Sequence, residues 1–86
     1  MKVTVRASTG AQIRVWREAE LFYARPARSV VEPQICAAVD LFEVIAELAG
    51  LNLDVTAESA EAVRLSIEAL RQLEDSPRLE DAAGSE

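Results

Sequence analysis

The chain has 86 residues, 50% of them hydrophobic, and a net charge of −6. A chain of this length forms one domain that buries roughly 60% of its unfolded surface, so the core is modest and a homodimer would enlarge it. The chain has no apolar run of about 18 residues, which is the length that a membrane-spanning helix needs. It has no histidine and only one cysteine, so it lacks the ligands of a structural zinc site.

The first stretch, "VTVRASTGAQIRVWRE" (3–18), predicts an antiparallel β-hairpin, because apolar and polar residues alternate on both sides of a glycine. A two-residue turn at Thr9-Gly10 would set Val5 opposite Arg14, on the apolar face. A three-residue loop of Ser8, Thr9 and Gly10 instead pairs Val5 with Ile13, and it puts Gly10 where a left-handed residue is needed.

The three-residue loop has a consequence for the other face of the hairpin. It pairs Val3 with Val15 and Ala7 with Ala11, and it sends the remaining side chains to the opposite side. These are Lys2, Thr4, Arg6, Gln12, Arg14 and Trp16. We expect Trp16 to be at least partly displayed there, although residues 18–25 could also cover it.

Residues 18–27 are rich in apolar and aromatic side chains, and they form either a third strand from Leu21 to Arg25 or a continuation of the second. Ser29 with Glu32 fits a capping box, so we predict a first helix over residues 34–49. Its acidic residues occupy one narrow stripe, and apolar residues fill most of the remaining circumference. Such a wide apolar arc needs a second helix or another subunit to cover it, and we predict that the chain self-associates, most simply as a symmetric dimer.

Gly50 is the predicted stop of this helix. The alternating residues of "LNLDVT" (51–56) predict a short strand, and a second helix follows over residues 57–74. Its predicted core stripe consists of Ala60, Val63, Ile67 and Leu70, widened by Ala62, Ala69 and Leu73. On its other side, Glu61, Arg64, Glu68 and Arg71 recur at spacings of three and four residues, which is typical of a solvated helix surface.

The predicted fold is therefore a two-layer α+β domain over residues 1–75, in the order ββ(β)-α-β-α. It has an N-terminal antiparallel hairpin or small sheet with two amphipathic helices on one face. Residues 76–86 are predicted to form a flexible acidic tail. The N-terminus lacks the apolar core of a signal peptide, and one cysteine cannot form an intramolecular disulfide, so we expect a cytoplasmic protein.

Catalysis is not expected. The chain offers no histidine and no glycine-rich phosphate loop, and a carboxylate pair such as Asp40 with Glu43 lies on what reads as an exposed helix stripe. We expect no catalytic residue, no metal site and no cofactor. Cys36 is interpreted as a small, partly buried residue, with a redox or intermolecular disulfide role as the alternative.

Charge is divided sharply along the chain. Residues 1–28 carry six cations and two carboxylates, a net charge of +4, whereas residues 29–86 carry three cations and thirteen carboxylates, a net charge of −10. The first functional hypothesis is a protein-binding module, an adaptor, inhibitor or accessory subunit, with Trp16 as the anchor on an exposed sheet face. Trp and Arg dominate binding hot spots, and the predicted partner-binding residues are Trp16, Arg14, Arg6 and Lys2.

Two alternatives remain open. The basic hairpin could bind nucleic acid, with Trp16 stacking on a base, although the overall acidity opposes this. The acidic half could mimic nucleic acid and occupy another protein's binding groove, as small phage anti-restriction and anti-CRISPR inhibitors do; that analogy rests on size and charge only. Its surface would consist of Asp40, Glu43, Glu47, Glu58, Glu61 and Glu68.

Overall fold

A computed structural model of the chain describes residues 1–75. It contains a four-stranded antiparallel sheet in the order β1-β2-β3-β4, followed by two helices, which confirms the α+β fold. The strands are β1 (Lys2–Arg6), β2 (Gln12–Glu18), β3 (Leu21–Pro26) and β4 (Gln34–Cys36). A 3-10 turn (Ala38–Asp40) leads into α1 (Leu41–Ala49), and α2 (Thr56–Asp75) follows. The predicted tail, 76–86, lies outside the described residues.

The first hairpin has the predicted register. Val5 pairs with Ile13 and Val3 with Val15, and the Ala7 amide donates to the Ala11 carbonyl across the three-residue loop at 2.9 Å. Gly10 has φ +92°, a conformation that is easy only for glycine. The hairpin prediction is confirmed in full.

Residues 21–26 form a separate third strand and do not continue the second strand, which was the alternative that the sequence left open. β3 turns back antiparallel to β2, with Trp16 opposite Tyr23 and Val15 opposite Ala24. The chain reverses at Ala19 and Glu20, where Ala19 has φ +57°. No typical turn residue marks this position, because neither Gly, Asn nor Asp is present.

The predicted start of the first helix is wrong. Pro33 disfavours a helical conformation at the residue before it, and the following residues form β4, pairing with Phe22, Tyr23 and Ala24 of β3. The predicted capping box is also absent, since the Ser29 hydroxyl accepts a hydrogen bond from the Val31 amide at 3.1 Å. The helix begins only at Leu41, so the expected wide apolar arc is shorter than predicted.

Residues 51–56 are not a strand, contrary to the prediction. The Asp54 amide donates to the Asn52 side chain at 2.9 Å, and the Val55 amide donates to the Asn52 carbonyl at 3.0 Å, which together make a turn. Of the three alternating apolar residues only Leu51 is buried. Gly50 does end α1 as predicted, with φ +73° and the Leu51 amide bound to the Ala46 carbonyl.

The core lies between the inner face of the sheet and both helices. Its members are apolar residues of β1, β2, β3, both α-helices and the loops beside them: Val3, Val5, Ala7, Ile13, Val15, Phe22, Ala24, Leu41, Ile45, Ala46, Ala49, Leu51, Ala62, Leu65, Ala69 and Leu73. Within residues 1–75, both helices pack on this inner face, and neither covers the opposite side of the sheet, where Trp16 lies.

The predicted core stripe of α2 is rotated from the observed one. Ala62, Leu65 and Ala69 are buried, whereas Val63 and Ile67 are 40% and 48% exposed. Both sets recur with helical spacing, so periodicity alone does not distinguish them. Small residues allow α2 to approach the sheet and α1 closely. The buried Ser66 hydroxyl is satisfied by donating to the Val63 carbonyl at 2.8 Å.

Candidate functional site

The outer sheet face is the candidate site. We use this name for the side chains that point away from the two helices, as the strand registers define them. They are Lys2, Thr4, Arg6, Gln12, Arg14, Trp16, Glu18, Leu21, Tyr23, Arg25 and Ile35. All four residues of the predicted partner-binding site lie on this face, which brings them together as expected.

One row crosses the whole outer sheet face at the level of Trp16. Lys2 pairs with Trp16, Trp16 with Tyr23, and Tyr23 with Ile35. The Tyr23 ring is stacked on the indole, with centroids 5.7 Å apart and an interplanar angle of 12°. The Lys2 ammonium lies 4.3 Å from the indole centroid, and the Arg25 guanidinium carbon lies 5.4 Å from it.

These neighbours cover Trp16, so the expectation that its ring is displayed is wrong. Only 9% of the residue is exposed. Because β1 and β3 flank β2 on opposite sides, Lys2 and Tyr23 occupy the two sides of the indole. Its Nε1 donates to the Glu18 carboxylate at 3.0 Å, so the one polar atom of the ring is satisfied. Trp16 is therefore the covered centre of the outer sheet face, and Lys2, Tyr23 and Arg25 pack against it.

The face is strongly positive. Lys2, Arg6, Arg14 and Arg25 stand against one carboxylate, Glu18, a net charge of +3 on a chain of net charge −6. Among the side chains that the structure describes, Arg64 forms an ion pair with Glu61 on α2, and no ion pair of these four cations is seen. Arg25 also donates to the Val31 carbonyl at 3.3 Å.

The sequence does not predict the four residues that β3 and β4 contribute to this face, Leu21, Tyr23, Arg25 and Ile35. Their side of the sheet depends on the register of β3 and on the existence of β4, and neither could be fixed without the turn at Ala19. Leu21 and Ile35 are 44% and 56% exposed. Together with the half-buried Tyr23, they give the basic face an accessible apolar component.

The alternative acidic surface is divided between two helices. Asp40, Glu43 and Glu47 lie along the 3-10 turn and α1, and Glu58, Glu61 and Glu68 lie on α2. Some of these carboxylates already have partners: the Gln34 amide donates to Glu47 at 2.9 Å, and Ser8 donates to Glu61 through its amide and its hydroxyl. Arg64 and Arg71 further interrupt the acidic residues of α2.

Cys36 packs against the edge of the core in β4. Burial raises the pKa of its thiol, and the nearby charge of Asp40 raises it further. Both effects oppose formation of the thiolate, which is the reactive species. Within residues 1–75, no group of three or more Cys, Asp or Glu side chains is placed to hold a metal ion.

Comparisons with other proteins leave the function to be argued from this geometry. No protein-family model matches the chain, and neither the curated proteins nor the solved structures contain a significant match. In the part of the chain that the structure describes, neither helix is long and apolar enough to cross a membrane.

Proposed function

We propose that this protein is a non-catalytic protein-binding module whose outer sheet face docks on an acidic surface of another protein. The observation that carries the proposal is an open sheet face with a net charge of +3 around the Trp16 and Tyr23 stack. Protein interfaces combine an apolar and aromatic centre with arginine contacts. Here the apolar and aromatic centre consists of Leu21, Tyr23 and Ile35, and the arginine contacts come from Arg14 and Arg25.

Trp16 has a different role in this proposal from the one expected of it. Its indole is nearly covered, so it fixes the positions of Lys2, Tyr23 and Arg25, which meet the partner. A pre-ordered face of this kind loses less side-chain entropy on binding than a mobile one.

Direct nucleic-acid binding is less well supported. Stacking requires a free aromatic face, and the two sides of the indole are occupied by Lys2 and Tyr23. The acidic helical layer would also repel a phosphate backbone. The acidic mimic is weaker too, because its carboxylates alternate with Arg64 and Arg71 on α2 and are partly engaged by Ser8 and Gln34.

An adaptor, an inhibitor and an accessory subunit all work by binding, and the outer sheet face suits each of them. We also propose that the protein is cytoplasmic, since its single cysteine, Cys36, cannot form an intramolecular disulfide and suits a reducing compartment. The compartment does not affect the argument for the binding face.

The test is capture from a lysate of the native host, with and without nuclease treatment, on the immobilised wild-type chain and two charge variants. The double variant Arg14→Glu and Arg25→Glu should lose the protein partner that the wild type retains. Arg28→Glu, on the loop after β3, is the control and should retain it. Nucleic acid as the captured species, or equal capture by the double variant, would contradict the proposal.

A further inference from the structure

A second surface lies on α2, on the side turned away from the core. We call it the α2 surface; it is a shallow trough lined by Ala60, Val63, Arg64, Ile67, Glu68 and Arg71. Val63 and Ile67, one helical turn apart, leave 40% and 48% of their area exposed. They form an apolar strip with charged residues along one side.

The charges on that side follow a symmetric order. Glu61, Arg64, Glu68 and Arg71 alternate in sign, and the intervals between them are three, four and three residues. Reversing the direction of the helix about the level of Ser66 exchanges Arg64 with Glu68 and Glu61 with Arg71. The row is therefore complementary to its own antiparallel copy, with every positive position opposite a negative one.

A parallel pair of helices does not have this property. A two-fold axis along the helices would bring the charged side of each copy against the uncharged side of the other copy's strip, where Leu70 lies. An antiparallel pair keeps the charged sides together, so only that direction satisfies both the apolar strip and the charges.

We propose that the protein forms a symmetric dimer in which α2 packs antiparallel against α2 of a second copy. Val63 and Ile67 meet at the centre, and Arg64 of each copy pairs with Glu68 of the other. Glu61 lies at the level of Arg71 of the second copy, but its carboxylate is bound by Ser8 and its side chain is only 13% exposed, so the two Arg64–Glu68 pairs carry the charge complementarity. An interface of this kind is isologous, as in most homodimers.

The dimer has a structural consequence that does not depend on the proposed function. The exposed side of α2 and the outer sheet face lie on opposite sides of the two-layer fold. Pairing through α2 therefore directs the two outer sheet faces away from each other. The assembly presents two equal basic faces and is geometrically bivalent.

Sedimentation equilibrium of the full chain tests the dimer. At about 100 μM the wild type should have twice the monomer mass of 9.4 kDa. Arg64→Glu and Glu68→Arg, each alone, place like charges opposite each other twice per dimer and should raise the dissociation constant about tenfold or more. Arg28→Glu, which makes the same change of net charge as Arg64→Glu on another surface, should leave it unchanged.

The double variant Arg64→Glu with Glu68→Arg is the decisive sample. It exchanges the two charges, so that a positive and a negative side chain again face each other between the copies. Its dissociation constant should return to within about threefold of the wild-type value. Circular dichroism checks that every variant keeps its helices. A wild-type monomer throughout, single variants that dimerise normally, or a double variant that stays dissociated would each overturn the proposal.

Discussion

Truncating Trp16 should destabilise the protein substantially, even though the residue lies outside the main core. The indole leaves 9% of its area exposed, and burying about 200 Å² of aromatic surface at 25 cal/mol per Å² gives an upper limit of about 5 kcal/mol. Side chains on an outer face can relax into the space, and water can enter it. We therefore expect Trp16→Ala to lower the free energy of unfolding by about 2–4 kcal/mol.

Urea denaturation followed by circular dichroism measures this loss, since Trp16 is the only tryptophan and its fluorescence disappears in the variant. Leu21→Ala, at a 44% exposed position of the same face, is the matched control and should cost less than about 1 kcal/mol. In the wild type, Trp16 fluorescence should be shielded from acrylamide. A loss below about 1 kcal/mol for Trp16→Ala, with full access of the quencher to the wild-type indole, would refute the reasoning.

Three further expectations concern single groups. Ser8 donates two hydrogen bonds to Glu61 and holds the pKa of that carboxyl below its usual 4.5, so the bonds stabilise the fold above that pH and are lost as the pH falls through the lowered pKa. Glu61→Gln should therefore be less stable than the wild type at neutral pH, and the gap in denaturation midpoint should close on acidification; a gap that is independent of pH would argue against this. Ala19→Gly should raise stability by about 0.5 kcal/mol in thermal melts, because relief at φ +57° exceeds the added entropy of the unfolded chain; a lower melting temperature would contradict it. Cys36, with its raised thiol pKa, should react with a disulfide reagent more slowly in the folded protein than in urea; equal rates would show that the native thiol is not protected.

The sequence allowed the first hairpin to be predicted in detail because two independent constraints agree there. The apolar alternation on both strands and the left-handed requirement at Gly10 select the same three-residue loop. The approximate span of α2 was predicted equally well, since its helical period continues for many residues without a break. The candidate face followed from the hairpin alone, so Lys2, Arg6, Arg14 and Trp16 could be placed on it.

The errors arose where one local pattern fits two structures. The alternation in residues 51–56 resembles a strand, but the Asn52 side chain stabilises a turn instead. Residues 34–36 fit the helical period of α1, yet pairing with β3 satisfies their backbone after Pro33. On α2, two apolar stripes have the same spacing, and packing of the whole chain decides which one is buried: Ala62 and Ala69 are covered, whereas Val63 and Ile67 are not.

The exposure of Trp16 could not be predicted because it depends on contacts between strands. Parity correctly places the indole on the face opposite Val15. Lys2 covers one side of the ring, but the rest of the cover comes from Tyr23 and Arg25, whose positions require the β3 register. Burial on an open sheet face is thus decided by neighbouring side chains, which a single strand does not reveal.

The most direct test of the binding face is a calorimetric titration of the purified, captured partner against the wild type, the Arg14→Glu and Arg25→Glu double variant, and Arg28→Glu. The double variant should bind at least about thirtyfold more weakly, a loss of about 2 kcal/mol. The Arg28→Glu control should bind like the wild type, and wild-type affinity should fall with added salt. Equal affinity for all three proteins would place the interface elsewhere and contradict the account.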